Sequence, residues 1–136
     1  MKIILPQRAP RSPREPKDLH TELIIACAIE VHRILGPGLL ESIYEEALCH
    51  EFSIRGIAFE RQKDIDVIYK DKIIKGQRLD LVVDQQVIVE IKATKTLNEI
   101  YSAQTLSYLK STGLKRALLI NFGSSKLVFG VKRISL

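Results

Sequence analysis

The chain of 136 residues has few of the side chains that build disulfide frameworks or zinc sites. It contains two cysteines, three histidines and no tryptophan. The histidines are scattered and the cysteines fall within helical patterns, so no Cys/His spacing typical of zinc is present. Two such cysteines are more typical of free, buried thiols in a reducing compartment than of a disulfide. We therefore expect a cytoplasmic protein without structural zinc.

Long hydrophobic runs are also absent. No apolar run approaches the roughly 20 residues that a membrane-spanning helix needs, and no hydrophobic region follows a basic start, as in a signal peptide. The sequence has no internal repeat, no glycine-rich phosphate loop and no serine/histidine nucleophile motif. We expect no membrane partner, and any chemistry must come from acidic, basic and amide side chains.

The positive charge is concentrated at the start of the chain. The net charge is +5, and residues 1–17 contribute +4 of it through five basic side chains against one glutamate. Four prolines in the same stretch forbid a helix and disfavour a strand. We expect a flexible, basic, proline-rich leader over 1–17 and a single domain over 18–136. The near-neutral charge of this domain does not by itself indicate a nucleic-acid surface.

The first half of the predicted domain has helical periodicity. Asp18 is expected to cap a helix that reaches Leu35, and Gly36-Pro37-Gly38 ends it. A second helix is expected from about 39 to 55, with Leu40 and Ile43 on its apolar stripe. The two helices should form a hairpin with their apolar faces inward.

The second half alternates between strand and helix patterns. Strand patterns occupy 57–69, 73–92 and 116–122, and the last strand is expected over 126–134. A helix is expected from about 98 to 111, with Thr96 or Asn98 as its cap. The strand–helix–strand unit from 86 to 122 favours a crossover with a parallel strand pair. The pattern as a whole predicts an α/β fold with a central mixed β-sheet, flanking helices and an N-terminal helical hairpin.

A predicted β-hairpin over 77–92 contains charged residues inside an apolar run. Because side chains alternate along a strand, Glu90 and Lys92 share one face. If the turn is Asp84-Gln85-Gln86, Asp80 lies opposite Glu90 with Cβ atoms about 4.5–5.5 Å apart. A two-residue turn would instead place these two carboxylates on opposite faces.

Two carboxylates at that separation repel each other, and one pKa rises unless a cation lies between them. A hard divalent cation such as Mg²⁺ or Mn²⁺ suits carboxylate oxygens and keeps several waters. Lys92 beside such a site could orient or deprotonate a water, or stabilise developing negative charge. This combination is typical of metal-assisted phosphodiester hydrolysis.

Asp80 followed by Glu90-Ile91-Lys92 resembles the D…(D/E)xK signature of the PD-(D/E)XK nuclease superfamily. A second segment, 38–44 with the sequence GLLESIY, matches the motif that names the GxxExxY family within that superfamily. Further similar segments lie at 28–33, 104–108 and 119–123. The resemblance covers about residues 18 to 136.

The resemblance implies a restriction-endonuclease-like core and a divalent-metal-dependent nuclease that acts on DNA or RNA. In that family Asp80, Glu90 and the Ile91 carbonyl would hold Mg²⁺ or Mn²⁺. The other site residues that it implies are Lys92 for the attacking water, Glu41 for support of the metal, and Gln104 and Tyr108 for the phosphate or the orientation of the site.

Three of the polar residues also have interpretations that involve no function. Glu41 also suits the first turn of a helix through the helix dipole, and Glu45 is interpreted as a solvated helix residue. Gln62 faces the site or is an exposed strand residue.

The alternative functions are a catalytically silent binding module for nucleic acid or protein, and a purely structural Glu90–Lys92 ion pair. A homodimer is expected by analogy, since cutting a duplex often takes two copies.

Overall fold

The computed structural model describes residues 18–136, and the expected leader over 1–17 lies outside the described residues. The elements follow in the order α1 (Leu19–Leu35), α2 (Glu41–Ile54), β1 (Phe59–Tyr69), β2 (Lys72–Val83), β3 (Val87–Lys92), α3 (Glu99–Thr112), β4 (Arg116–Asn121), a 3-10 helix (Leu127–Gly130) and β5 (Val131–Ser135).

Two of the helices begin at the side-chain caps that the sequence predicts. The Asp18 carboxylate accepts a hydrogen bond from the His20 backbone N–H at 3.0 Å. The Asn98 side chain likewise accepts from the Ile100 N–H at 2.9 Å. Each cap satisfies one of the backbone donors that a helix start leaves without a partner. Asn98, and not Thr96, is therefore the cap of α3.

The strands form one mixed sheet in the order β1-β2-β3-β4-β5. The pair β3–β4 is parallel, and the other neighbouring pairs are antiparallel. A parallel pair needs a long crossover connection, which α3 supplies. The predicted α/β fold, with a mixed sheet, flanking helices and an N-terminal helical hairpin, is confirmed.

Both faces of the sheet are covered. On one face Val89 and Ile91 pack in the core that α1 and α2 share with the sheet. On the other face Ile88 packs with Leu109 of α3. Because side chains alternate, Glu90 points to the same face as Ile88. The acidic residue therefore lies on the side of the sheet that α3 covers.

Two local predictions are wrong. Leu40 and Ile43, which were expected on the apolar stripe of the second helix, are exposed, with Leu40 73% exposed. Leu40 lies before α2, which begins only at Glu41. The strand predicted over 126–134 is a 3-10 helix followed by β5. Its apolar run buries only Leu127 and leaves the next two residues exposed, an ambiguity that short apolar runs carry.

Both cysteines are buried and unpaired, as the sequence predicts. Burial raises the pKa of the Cys27 thiol, and it raises that of Cys49 to about 11. Between residues 18 and 136, no helix has the length and apolar character needed to cross a membrane.

Candidate active site

The turn between β2 and β3 decides which residues meet. Asp84 and Gln85 both adopt left-handed backbone angles, with φ of 53° and 56°, and the closing pair is Val83–Val87. The turn therefore has three residues, and the same register places Asp80 opposite Glu90. This is the longer of the two turns that the sequence allows.

The two carboxylates replace part of the backbone ladder between β2 and β3. The Asp80 N–H donates to Glu90 Oε2 at 2.7 Å, and the Ile91 N–H donates to Asp80 Oδ2 at 2.8 Å. The regular backbone pairing ends at Leu81 and Val89. Each carboxylate is therefore fixed by a backbone donor of the opposite strand, which holds both groups in one geometry.

Burial and mutual repulsion disfavour two negative charges here. Glu90 is 4% exposed, and burial, together with the charge of Asp80, raises its pKa from 4.5 to about 8. Burial also raises the pKa of Asp80, although the hydrogen bond from the Ile91 N–H opposes that rise. A cation between the two groups would remove this penalty.

Lys92 lies beside the pair at the end of β3. Its Nζ is 4.3 Å from the centroid of the Tyr101 ring, in a cation–π arrangement. Its positive charge lowers the pKa of both Asp80 and Glu90. The ammonium is thus close enough to act on the two carboxylates and is itself held against α3.

Tyr108 and Gln104 lie on α3, four residues apart and so on one helix face. Tyr108 is buried, and its pKa is raised first by burial and then by the charges of Glu90 and Asp80. Gln104, one turn earlier, is exposed. The structure therefore brings Tyr108 to the carboxylates and leaves Gln104 at the surface on the same face of α3.

Glu45 is a site residue that the sequence reading missed. The structure buries it to 8% exposure, whereas the sequence pattern predicts a solvated helix residue. It accepts hydrogen bonds from Arg61 Nε at 3.1 Å and from Gln62 Nε2 at 3.0 Å. Its negative charge also raises the pKa of Asp80 and Glu90. A sequence signal for its burial does exist: Glu45 lies three and seven residues before Leu48 and Phe52, and this spacing places it on the buried ridge of α2.

Gln62 connects Glu45 to the acidic pair. Its Nε2, bonded to Glu45, is also 3.5 Å from Asp80 Oδ1. Its backbone has a φ of 50°, and it interrupts the pairing of β1 with β2 between Arg61 and Lys63. A left-handed glutamine inside a strand is strained by about 1–3 kcal/mol. The strand register is the same on both sides of Gln62, which places it opposite Asp80. Gln62 is an exposed strand residue, and its amide also faces the site, so the two interpretations that the sequence allows both hold.

Glu41 is exposed at the first position of α2, one helical turn before Glu45. Glu45, and not Glu41, is the helix glutamate whose charge acts on Asp80 and Glu90. Tyr44 from the same motif is buried and stacks on Phe122 with ring centroids 4.6 Å apart. Its hydroxyl accepts from the Leu39 N–H at 3.1 Å, so this tyrosine holds the loop between the two helices.

The residues present fit a hydrated divalent cation. Among residues 18–136, no group of three or more Asp, Glu, His or Cys side chains is placed to hold a metal ion. The available donors are Asp80, Glu90 and the Ile91 carbonyl, which lies beyond the paired part of the ladder. Mg²⁺ commonly takes one or two carboxylates and keeps several waters.

A mixed α/β sheet that carries two facing carboxylates and an adjacent lysine has the architecture of a nuclease-like domain. Residues 18–134 match the family model described as the PD-(D/E)XK nuclease superfamily, so the chain belongs to that superfamily. Comparisons with curated proteins and with solved structures found no significant match.

Proposed function

We propose that this protein is a divalent-metal-dependent nuclease of the GxxExxY family that hydrolyses phosphodiester bonds in DNA or RNA. The observation that carries the proposal is the reciprocal bonding of Asp80 and Glu90 across β2 and β3. Such a pair costs folding free energy unless it is protonated or binds a cation. Its position next to Lys92, in a chain of a nuclease superfamily, favours a catalytic use.

Asp80, Glu90 and the Ile91 carbonyl would hold Mg²⁺ or Mn²⁺. One oxygen of each carboxylate accepts a backbone hydrogen bond. A cation would bind at the second oxygens, of which Asp80 Oδ1 has a long contact of 3.5 Å with Gln62 Nε2. When bound, the cation supplies Lewis acidity at the phosphate and a more acidic water.

The protein's own groups would orient the reactants. Lys92 orients the attacking water or, as a neutral amine, accepts its proton, and as an ammonium it stabilises negative charge that develops on the phosphate. Tyr108 orients the constellation from α3, and Gln104 contacts the substrate phosphate from the exposed turn of that helix. Glu45 positions Asp80 through Gln62, and Glu41 supports the metal through water.

The alternative is a catalytically silent binding module for nucleic acid or protein, and one observation favours the protein-binding form of it. All six arginines between residues 18 and 136 form ion pairs with carboxylates. A paired arginine adds little to a basic surface, so these arginines offer limited attraction for a phosphate backbone. A homodimer remains part of the nuclease proposal, because two copies would cut both strands of a duplex.

Calorimetric titration of Mg²⁺ and Mn²⁺ into the wild type and Asp80→Ala tests the proposal, followed by cleavage assays on DNA and RNA. We expect binding and cleavage in the wild type and neither in the variant. Asp64→Ala is the matched control, since Asp64 is an exposed aspartate of β1 paired with Arg78 at 3.1 Å. Metal binding without cleavage of any substrate would favour the binding module, and absence of metal binding would refute the nuclease site.

A further inference from the structure

Asn121 lies at the end of β4, directly beside Lys92 in the parallel register of β3 and β4. It is a polar residue with only 2% of its surface exposed. None of the roles proposed above uses it. A buried carboxamide is costly unless its hydrogen bonds are made, so its partners are informative.

Its carboxamide bonds both backbone groups of Thr94. Asn121 Nδ2 donates to the Thr94 carbonyl at 2.9 Å, and Asn121 Oδ1 accepts from the Thr94 N–H at 2.9 Å. The same Oδ1 accepts from the Gly123 N–H at 3.0 Å. A side-chain amide here occupies the place of a peptide group on a neighbouring strand. It thereby extends the hydrogen bonding of β3 two residues past Lys92.

Two glycines make room for this contact. A Cβ on Gly123 would lie 2.2 Å from the Thr94 carbonyl oxygen, and a Cβ on Gly130 would lie 2.4 Å from the Asn121 carbonyl oxygen. Both are far shorter than any real contact of a Cβ atom. The loop after Lys92, the loop after Asn121 and the 3-10 helix are therefore packed backbone to backbone. We call the set Asn121, Thr94, Gly123 and Gly130 the amide latch.

The amide latch lies next to Lys92, whose charge acts on both carboxylates and whose ammonium contacts Tyr101 of α3. The Lys92 carbonyl accepts from the Phe122 N–H at 2.8 Å, and the latch holds the chain two residues further on. Strand ends fray when their backbone groups lack partners. Without the latch, we expect the end of β3 at Lys92 to fray and the Lys92 ammonium to lose its place over Tyr101.

We propose that Asn121 is a positioning residue, which through Thr94 fixes the end of β3 and so holds the Lys92 ammonium at the acidic pair. The catalytic part of this inference rests on the proposed nuclease function. A displacement of about 1 Å in a catalytic group can cost roughly 100-fold in rate. We expect Asn121→Ala to lower kcat by about 10- to 100-fold, with the Mg²⁺ dissociation constant changed by less than about threefold.

A double-mutant cycle with Lys92→Ala separates positioning from general structural damage. If Asn121 acts through Lys92, Asn121→Ala costs no further activity in the Lys92→Ala background. Thr21→Val is the matched control, because Thr21 is also a buried polar residue but lies in the first turn of α1. Its effect on activity, if any, should be the same in both backgrounds. Equal losses from Asn121→Ala in both backgrounds would overturn the proposal.

A second readout is independent of activity. Protons held over an aromatic ring resonate upfield, so the Lys92 side-chain methylene protons next to Nζ report on its place over Tyr101. We expect this upfield shift to shrink in Asn121→Ala and in Asn121→Asp, which keeps the size of the side chain but loses the donor to Thr94. Should Asn121→Ala not fold, Asn121→Asp carries both measurements.

The NMR result also separates the two proposals. If the wild type cleaves nothing but the shift is lost in the Asn121 variants, the latch stands and the nuclease function fails. If the Lys92 shift persists in Asn121→Asp, the latch does not position Lys92, whatever the activity.

Discussion

Glu90 is the residue at which burial and function conflict most strongly. Its folded-state pKa of about 8 lies above the value of 4.5 expected in an unfolded chain. In the metal-free protein, the folded state therefore binds the additional proton between these two pH values. The stability that this proton contributes is complete below about pH 4.5 and is lost as the pH rises through 8.

We expect the free energy of unfolding of the metal-free protein to fall by a few kcal/mol between pH 5 and pH 9, because each pKa unit corresponds to about 1.4 kcal/mol. Glu90→Gln, which is uncharged throughout, should lack most of this decrease and be more stable than the wild type at pH 9. Urea unfolding in EDTA across the pH range measures it, with Asp64→Asn as the control. A variant less stable than the wild type at every pH would favour a structural Glu90–Lys92 ion pair instead.

Glu41 and Glu45 differ by one helical turn and should differ strongly in their effect on stability. Glu45→Ala removes the closer partner of the Gln62 amide and one of the two carboxylates that bond Arg61. We expect a loss of about 1–3 kcal/mol. Glu41→Ala, at an exposed position, should cost less than about 0.5 kcal/mol. Equal losses in urea unfolding would contradict the assignment of the buried site glutamate to Glu45.

At the scale of elements, the turn between β2 and β3 controls the site. Gln85 has a left-handed φ of 56°, a conformation that glycine adopts without strain. Gln85→Gly should therefore stabilise the protein, because the left-handed strain of about 1–2 kcal/mol exceeds the entropy cost of glycine of about 0.5–1 kcal/mol, with metal affinity unchanged. Gln86→Gly is the matched control, because the neighbouring Gln86 has no positive φ and glycine there should destabilise. Thermal unfolding of the two variants decides between these signs.

Element types were predictable because they depend on local periodicity. The period-2 pattern around Glu90 and the caps Asp18 and Asn98 are each encoded within a few residues. The 3-10 helix was not predictable, because an apolar run of that length suits a strand equally well. It forms where Gly130 fits against Asn121, a contact between residues that only the folded chain brings together.

At the scale of the whole molecule, charge is divided between two regions. The first 17 residues carry +4 of the net charge of +5, and each arginine from 18 to 136 is already paired with a carboxylate. The basic residues of 1–17 should therefore contribute more to nucleic-acid affinity than the paired arginines of the domain. This expectation rests on their charge alone.

Replacing Arg8, Arg11 and Arg14 with alanine should weaken binding to duplex DNA and reduce the slope of log K against log salt by about 2–3, since each phosphate contact contributes about 0.9. Replacing the paired arginines 33, 78 and 133 changes the net charge equally and is the matched control. Fluorescence anisotropy at several salt concentrations compares the two triple variants. Equal slopes would show that the location of these charges is irrelevant.

The sequence by itself determined the fold class, the helix caps and the shared face of Glu90 and Lys92, because each follows from periodicity within one element. It left the length of the turn after Val83 open, and with it the meeting of Asp80 and Glu90. Only the tertiary structure decided that turn, the burial of Glu45 against β1 and the contact of Asn121 with Thr94. These contacts join residues 16 to 27 positions apart or depend on one backbone conformation. Local pattern carries no information on such distances, since the packing of elements against each other sets them.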